Sequence, residues 1–507
     1  MKEKIDYANI PKEEFAFVDR DGAIHDKKLD TKPIGYFKDV WLRFCRNKSS
    51  VVAAVIILLL VLYAIFVPIF CETNYSRALT DTMYLNYTKL VPKIPWLGID
   101  GTGKETLNAS AYLSYKAIGI ETGLDPILEV YRENYEDPKA SKKARFYDVR
   151  VDNYYKMGMV YLTLTPQEFE SLQAWQDETG IQVVYPAITD SKQTDANIWY
   201  EADRKGAAKL DSEGNFKPIY RTTTPEDTTY HSLRVAADAD PEHPYAYARV
   251  TGTANAKSYV VRVCKYTYFQ YRYGFEPCFT FGTNAKGQDI FTRLAAGARF
   301  SFLLSICISV INLLIGSIYG AIEGYYGGAV DMVMERVSDV IGNIPFIVVS
   351  TLFQLHLASK VGVVPALLFA FVLTGWISMA ANVRMQFYRF KGQEYILAAR
   401  TLGAGDARLM FKHIFPNSLG TLITSSVLVI PGVIFTESSL TYLGIINLDS
   451  STMTSVGSML ANGKSYLSTD PYIILFPAAF ISLLEVSFNL FGNGLRDAFN
   501  PSLRGVE

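Results

Sequence analysis

From Ser50 to Phe70 the chain reads SVVAAVIILLLVLYAIFVPIF, 21 residues without a charge. As a helix rising about 1.5 Å per residue, such a run covers about 30 Å, the thickness of bilayer hydrocarbon. It is expected to span a membrane. A cleavable leader would have a short basic front and a small-residue cleavage site, but 49 residues precede this run, so it is expected to stay as an anchor. Arg43, Arg46 and Lys48 stand before it and Glu72 after it, which predicts a cytoplasmic N-terminus.

No comparable run follows for more than two hundred residues, and then apolar segments crowd the rest of the chain. Five more spans are predicted, at Phe300–Glu323, Ile341–Leu357, Val363–Val383, Leu419–Ser439 and Tyr472–Leu490. Pro345 interrupts the third of the six and Pro431-Gly432 the fifth, which neighbouring helices can tolerate. The segment between spans four and five carries Arg384, Arg389, Lys391, Arg400, Arg408 and Lys412, whereas the short outer loops carry Lys360 and Lys464. This bias predicts both termini in the cytoplasm.

Residues 72–281 then lie outside, with 24 Lys+Arg against 28 Asp+Glu. The whole chain is 49% hydrophobic and 20% charged, yet its mean hydropathy is only +0.11, the average of two unlike parts. A net charge of −1 gives no reason to expect nucleic acid, and 13% aromatics with 35 Gly exclude a disordered or collagen-like chain. The predicted organisation is a cytoplasmic segment 1–49, a first span 50–70, an inserted extracytoplasmic α+β domain 71–281, and a membrane core 282–507. Within the insertion, Phe146–Val151, Met159–Thr163, Ile181–Tyr185 and Ser258–Tyr268 read as strands. Thr165, Pro166 and Glu168 open a capped helix that Gly180 ends.

Of the five cysteines, Cys71, Cys264 and Cys278 face the outside, where disulfides persist. Three pairings, or none, are open to them, with Cys264–Cys278 the preferred pair. His231 and His243 are the insertion's only histidines, and no metal or nucleophile signature accompanies them, so no metal site and no catalytic residue are expected. Gly98–Glu105 nearly matches a phosphate-binding loop, but Glu105 replaces the hydroxyl that would hold Mg²⁺. The same eight residues echo Gly282–Asp289, either a partial duplication or a chance likeness.

The segment 393–417, QEYILAARTLGAGDARLMFKHIFPN, predicts a short helix, a glycine break, a second amphipathic helix and a proline stop at Pro416. Ala398 and Ala399 offer a small-residue surface, Gly403 permits a sharp turn, and Leu402, Leu409, Met410 and Phe411 supply apolar contact area. This stretch resembles the EAA loop of ABC-importer permeases, and AARTLGAGD with KHIFPN resembles the C-type subunit of oligopeptide and dipeptide importers. GTNAKGQDIFTRLAAGARFS (282–301), GYYGGAVDMVMERVSDVIGNIPF (324–346) and FNLFGNGLRDAFNPSLR (488–504) resemble further segments of that family, over roughly residues 35–70 and 280–507. Leu397 stands where the family has an acidic EAA residue, and Asn284 and Gln288 replace its usual Asp and Arg.

The resemblance implies a polytopic α-helical membrane protein with the type I ABC importer permease fold. It implies a complex with a B-type permease homologue, two cytoplasmic ABC ATPases and an extracytoplasmic peptide-binding protein, all embedded in or docked on membrane lipid. No cofactor is expected on this chain, since ATP would be hydrolysed by the partner subunits. Ala398, Ala399, Arg400, Leu402, Gly403, Asp406, Met410, Phe411 and Pro416 would form the coupling loop. Glu485, deep in the last span, is a pathway candidate, as are Asn489 and Glu437, the last of which matches the family's E-[A/S]-S-L-[S/T] segment. Asn312 and Asn489 could also form interhelical hydrogen bonds. Rival readings are a membrane-anchored receptor, hydrolase or binding ectodomain, a secondary transporter, whose expected inverted repeats and broken helices are not found in the sequence, or a permease for nickel or another small substrate.

Overall fold

The computed structural model describes residues 35–71, 87–133, 146–188, 195–203, 208–222, 227–228, 245–253, 256–450 and 453–499. His231 and His243 lie outside these residues. Helix α1 (Tyr36–Arg46) leads to Asn47, whose side chain caps α2 (Lys48–Phe70), the first expected span. The chain then enters a neck. Here the Lys93 N–H donates to the Phe279 carbonyl and the Thr283 N–H to the Leu90 carbonyl, both at 2.9 Å, so entering and leaving segments lie side by side. The Thr283 hydroxyl donates to the Tyr87 carbonyl at 2.5 Å and accepts from the Leu90 N–H at 2.8 Å.

Beyond the neck the insertion is α+β. Strands β1 (Lys93–Ile94) and β2 (Ile99–Asp100) form a hairpin. Strand β3 (Thr102–Asn108), helix α3 (Ala109–Thr122), β4 (Ile127–Glu133) and β5 (Phe146–Asp152) follow, and the antiparallel sheet β3–β5–β4 buries Leu107, Tyr147, Val149 and Val151 against α3. A second sheet gathers β6 (Met159–Leu164), β7 (Val184–Tyr185), β8 (Asp227–Thr228), β9 (Ala248–Thr253) and β10 (Ala256–Cys264) in the order β6–β10–β9–β8, with β7 beside β10. Helix α4 (Pro166–Thr179) has the expected reciprocal Thr165–Glu168 capping box and ends at Gly180, φ +71°. The strand expected over Ser258–Tyr268 stops at Cys264, where α5 (Lys265–Tyr273) begins. There the Lys265 N–H makes a last in-register bond to the Gly158 carbonyl.

One buried ion pair joins the two sheets' layers. Arg262, on β10, has no exposed surface, and its guanidinium donates to both oxygens of Glu121 on α3, at 2.5 and 2.7 Å. Its Nε donates to the Ala196 carbonyl at 2.6 Å, and Tyr220 donates to the same carboxylate at 2.9 Å. Every strong polar group is thereby paired, the condition under which a buried charge is tolerated.

The expected Cys264–Cys278 disulfide is absent: neither Cys264 nor Cys278 is bonded to another cysteine. Cys264 is packed in the core with Tyr87, Met159 and Phe269, where burial pushes its thiol up, while the exposed Cys278 Sγ lies 3.5 Å from the Lys93 carbonyl. Gly98–Glu105 is hairpin and strand, with Glu105 paired to Lys156, not a phosphate loop opening a helix. Gly282–Asp289 is a compact turn closed by a Thr283–Asp289 bridge, so the two segments differ in form.

The membrane core comprises α6 (Ile290–Tyr326), α7 (Gly328–Gly342), α8 (Phe346–His356), α9 (Ala358–Val361), α10 (Val363–Lys391), α11 (Glu394–Thr401), α12 (Asp406–Arg408), a π-helical turn Leu409–Ile414, α13 (Phe415–Tyr442), α14 (Val456–Gly463) and α15 (Tyr472–Phe499). Among the described residues five helices are long and apolar enough to cross a membrane, or six if α7 and α8 count as one span. The single span expected at Ile341–Leu357 is corrected. Its residues belong to two helices bent by 69° at Asn343–Pro345, and the 11 residues of α8 rise only about 16 Å. Pro345 is extended and cannot continue α7. A broken helix is therefore present, contrary to the sequence reading.

The tightest packing lies between α6 and α10. Gly316, Gly320 and Gly324 recur every four residues on α6, the spacing that lets membrane helices touch backbone to backbone. A Cβ on Gly320 would stand 2.2 Å from the Ala380 carbonyl oxygen, and on Gly324 2.8 Å from that of Arg384.

Gly320→Leu is expected to force α6 from α10 and abolish the monodisperse, detergent-extracted protein, whereas Leu at the exposed Ile318 position leaves it intact; equal recovery of both would refute the backbone contact. Arg262→Met leaves the buried Glu121 carboxylate without its cation, at a cost of about 3–5 kcal/mol. It is expected to lower the temperature at which protease cleaves within residues 87–281 of the full chain, and Glu121→Leu/Arg262→Met should recover part of the loss.

Candidate functional site

The loop between α10 and α13 is built on a hydrophobic floor. Ile396 of α11 and Leu409, Met410 and Ile414 of the π turn are buried with Ala321 and Tyr325 of α6 and Val383 and Phe387 of α10. This anchors the loop to the ends of the two most closely packed helices. Above the floor, Tyr325 donates to Asp406 at 2.6 Å and accepts from Arg400 at 3.2 Å, with the Arg400 guanidinium 5.8 Å from its ring. One tyrosine thus bridges both arms of the loop. Lys391 adds a bond to the Gly324 carbonyl at 2.9 Å.

Of the expected loop residues, Arg400, Asp406 and Met410 serve this internal attachment. Ala398, Leu402 and Phe411 face outward with Tyr395 and Leu397, and Ala399 is half-buried. Leu402 is 88% exposed at the apex. Gly403 has φ +87° and nothing within 4 Å of a notional Cβ, so its backbone angle, rather than lack of space, demands glycine. Exposed large apolar side chains on an anchored loop mark a surface shaped for a partner.

Two expectations about this loop are corrected. The second helix is not separate: α12, the π turn and α13 run continuously from Asp406 to Tyr442. Pro416 is accordingly no stop; it sits in the first turn of α13 after the wider π turn, where its missing N–H costs little.

Behind the loop, Arg384 of α10 fastens α7. It donates to Asp331 at 2.5 and 2.8 Å and to Glu335 at 2.8 and 3.1 Å, and Tyr388 donates to Asp331 at 2.7 Å. Neither Tyr325 nor this cluster was identified from sequence. Two adjacent tyrosines at 325–326 do not reveal which one faces the loop, and Arg384 read only as loop charge.

The pathway candidates fall in different surroundings. Glu437 is fully buried, accepting from Ser301 at 3.1 Å and Thr441 at 3.2 Å, and so joins α6 to its own helix; it does not line an open path. Glu485 lies midway along α15, half-buried, with its buried Oε1 lacking a hydrogen-bond partner. Asn489 donates to the Glu485 carbonyl, a bond within one helix, and Asn312 packs at Gly375 with Oδ1 unpaired, so neither makes the interhelical bond considered above. Among the described residues no group of three or more His, Cys, Asp or Glu could hold a metal ion.

Comparison with known proteins agrees with this architecture. Residues 312–505 match the model of the binding-protein-dependent transport system inner membrane component, and residues 35–92 that of the N-terminal TM domain of oligopeptide transport permease C. The chain is 41% identical over 224 residues to the oligopeptide transport system permease protein OppC of Bacillus subtilis, covering 44% of this chain and 72% of that protein. It is 38% identical over 225 residues to the dipeptide transport system permease protein DppC of Bacillus subtilis, 44% and 69%. With OppC of Haemophilus influenzae identity is 37%, over 44% and 70%. The chain belongs to the binding-protein-dependent transport system inner membrane components, as a multi-pass permease subunit of an ABC importer.

Proposed function

We propose that this subunit forms half of the translocation path for oligopeptides or dipeptides, with a B-type permease homologue forming the other half. One of two cytoplasmic ABC ATPases docks on the loop 393–417, the pair hydrolyses ATP, and a peptide-binding protein delivers substrate on the opposite side. The observation that carries this reading is the 41% identity to a named oligopeptide permease over a stretch that covers 72% of it. The loop supports the same reading: its floor is fixed to α6 and α10, while Leu397, Leu402 and Phe411 remain exposed. A loop so attached moves as one piece with the helices beneath it, which is what conversion of ATPase closure into a change of access requires.

The basic residues between α10 and α13 support a cytoplasmic position for this loop and both termini, with the insertion outside. Residues 71–281 would then stand on the side where the binding protein arrives, and we assign them a scaffold for that encounter.

Glu213→Cys, in an exposed turn, introduced into a chain whose five native cysteines are replaced by Ser, is expected to react with a membrane-impermeant maleimide on intact cells; labelling only after lysis would reverse the topology. Leu402→Asp places a charge at the apex and Gly403→Asp adds a side chain at φ +87°. Each is expected to reduce peptide uptake at least about tenfold, equivalent to about 1.4 kcal/mol of coupling, with membrane levels unchanged. Normal uptake and normal co-purification of the ATPases by both variants would remove the docking role.

A further inference from the structure

We propose that Glu485 is a binding point in the translocation path for a positively charged group of the solute, such as a peptide's ammonium. This rests on the chain being a path-forming permease. Ser482, Glu485, Asn489, Asn493 and Arg496 recur at helical spacing along α15. At about 100° per residue they occupy a sector of about 80°. On one side of that sector Leu484, Phe488 and Gly492 are buried in the bundle; on the other, Leu483, Val486 and Leu490 are exposed and apolar. The helix therefore has three faces, one packed, one suited to lipid and one polar.

Among the described residues no side chain of another element bonds to any of the five. Ser482 donates to the Ala478 carbonyl and Asn489 to that of Glu485, both within α15. Such a stripe in a spanning helix faces water or another subunit, because lipid would leave its polar groups unsatisfied. An open, largely apolar groove of about 460 Å³ between α13, α14 and α15, lined by Phe435, Tyr442, Leu443, Leu460, Ile481 and Ser482, meets the stripe at Ser482. Glu485 is its single carboxylate, about 20 Å along the helix. An unpaired carboxylate there favours a cation and disfavours an anion.

The test introduces Asn489→Cys, one turn from Glu485, into the assembled complex in proteoliposomes. Its reaction with a trimethylammonium and with a sulfonate methanethiosulfonate reagent is compared with that of the parent complex. With each rate normalised to that of the same reagent with a free thiol in solution, the cationic reagent is expected to react about tenfold faster than the anionic one, and Glu485→Gln should bring the normalised ratio near one. An unchanged ratio overturns the proposal. So does failure of both reagents to reach the introduced thiol, the result if the stripe is sealed against the second permease subunit. In parallel, Glu485→Gln should reduce uptake of a free-amino tripeptide about tenfold relative to its N-acetylated form, and equal loss of both would also refute the cation site. Labelling needs no substrate, so a wild-type complex that carries no peptide overturns the import reading while the reagent ratio still decides the role of Glu485.

Discussion

The close approach of α6 to α10 is the contact on which the rest of the membrane core depends. Lipid tails are as apolar as leucine, so helices in a bilayer gain little by hiding apolar surface and associate through close packing instead. Gly316, Gly320 and Gly324 remove the side chains that would hold the backbones apart. Helix α6 is then fixed along most of its 37 residues. Its first turn follows the neck, Ser301 meets α13 at Glu437, and its last turn presents Tyr325 to the loop between α10 and α13. One helix thus connects the insertion's base to the loop's two arms.

The elements that announce themselves in sequence are those with strong one-dimensional patterns. The uncharged run of α2, the capping box at Thr165, and the alanine-containing, glycine-broken loop each follow from local rules. What escaped has a three-dimensional cause. Arg262 and Glu121 are separated by 141 residues, and nothing nearby in the chain marks either as buried. Tyr325 acts through partners 75 and 81 residues away. The bend between α7 and α8 was visible as Pro345, but its 69° size depends on how both helices pack. Pro416 read as a stop because its place relative to the π turn is not evident from composition.

The candidate site was identifiable as a segment but not as a mechanism. Sequence named the loop's residues together; the structure separates those that attach it, Arg400, Asp406 and Met410, from those that remain available, Ala398, Leu402 and Phe411. That division explains why charge alone is a poor guide here. The polar residues are occupied internally, and the apolar ones are left exposed.

The neck also bears on how the chain assembles. Helix α2 packs against α6, yet more than two hundred residues separate them in the chain. Closing an open loop of that length carries an entropy penalty and slows assembly. Once the insertion has folded, its ends lie one hydrogen bond apart at Lys93 and Phe279. The two helices are then joined as if by a short connection, so the order of events, insertion before helix pairing, would give the membrane core the folding problem of a much smaller protein.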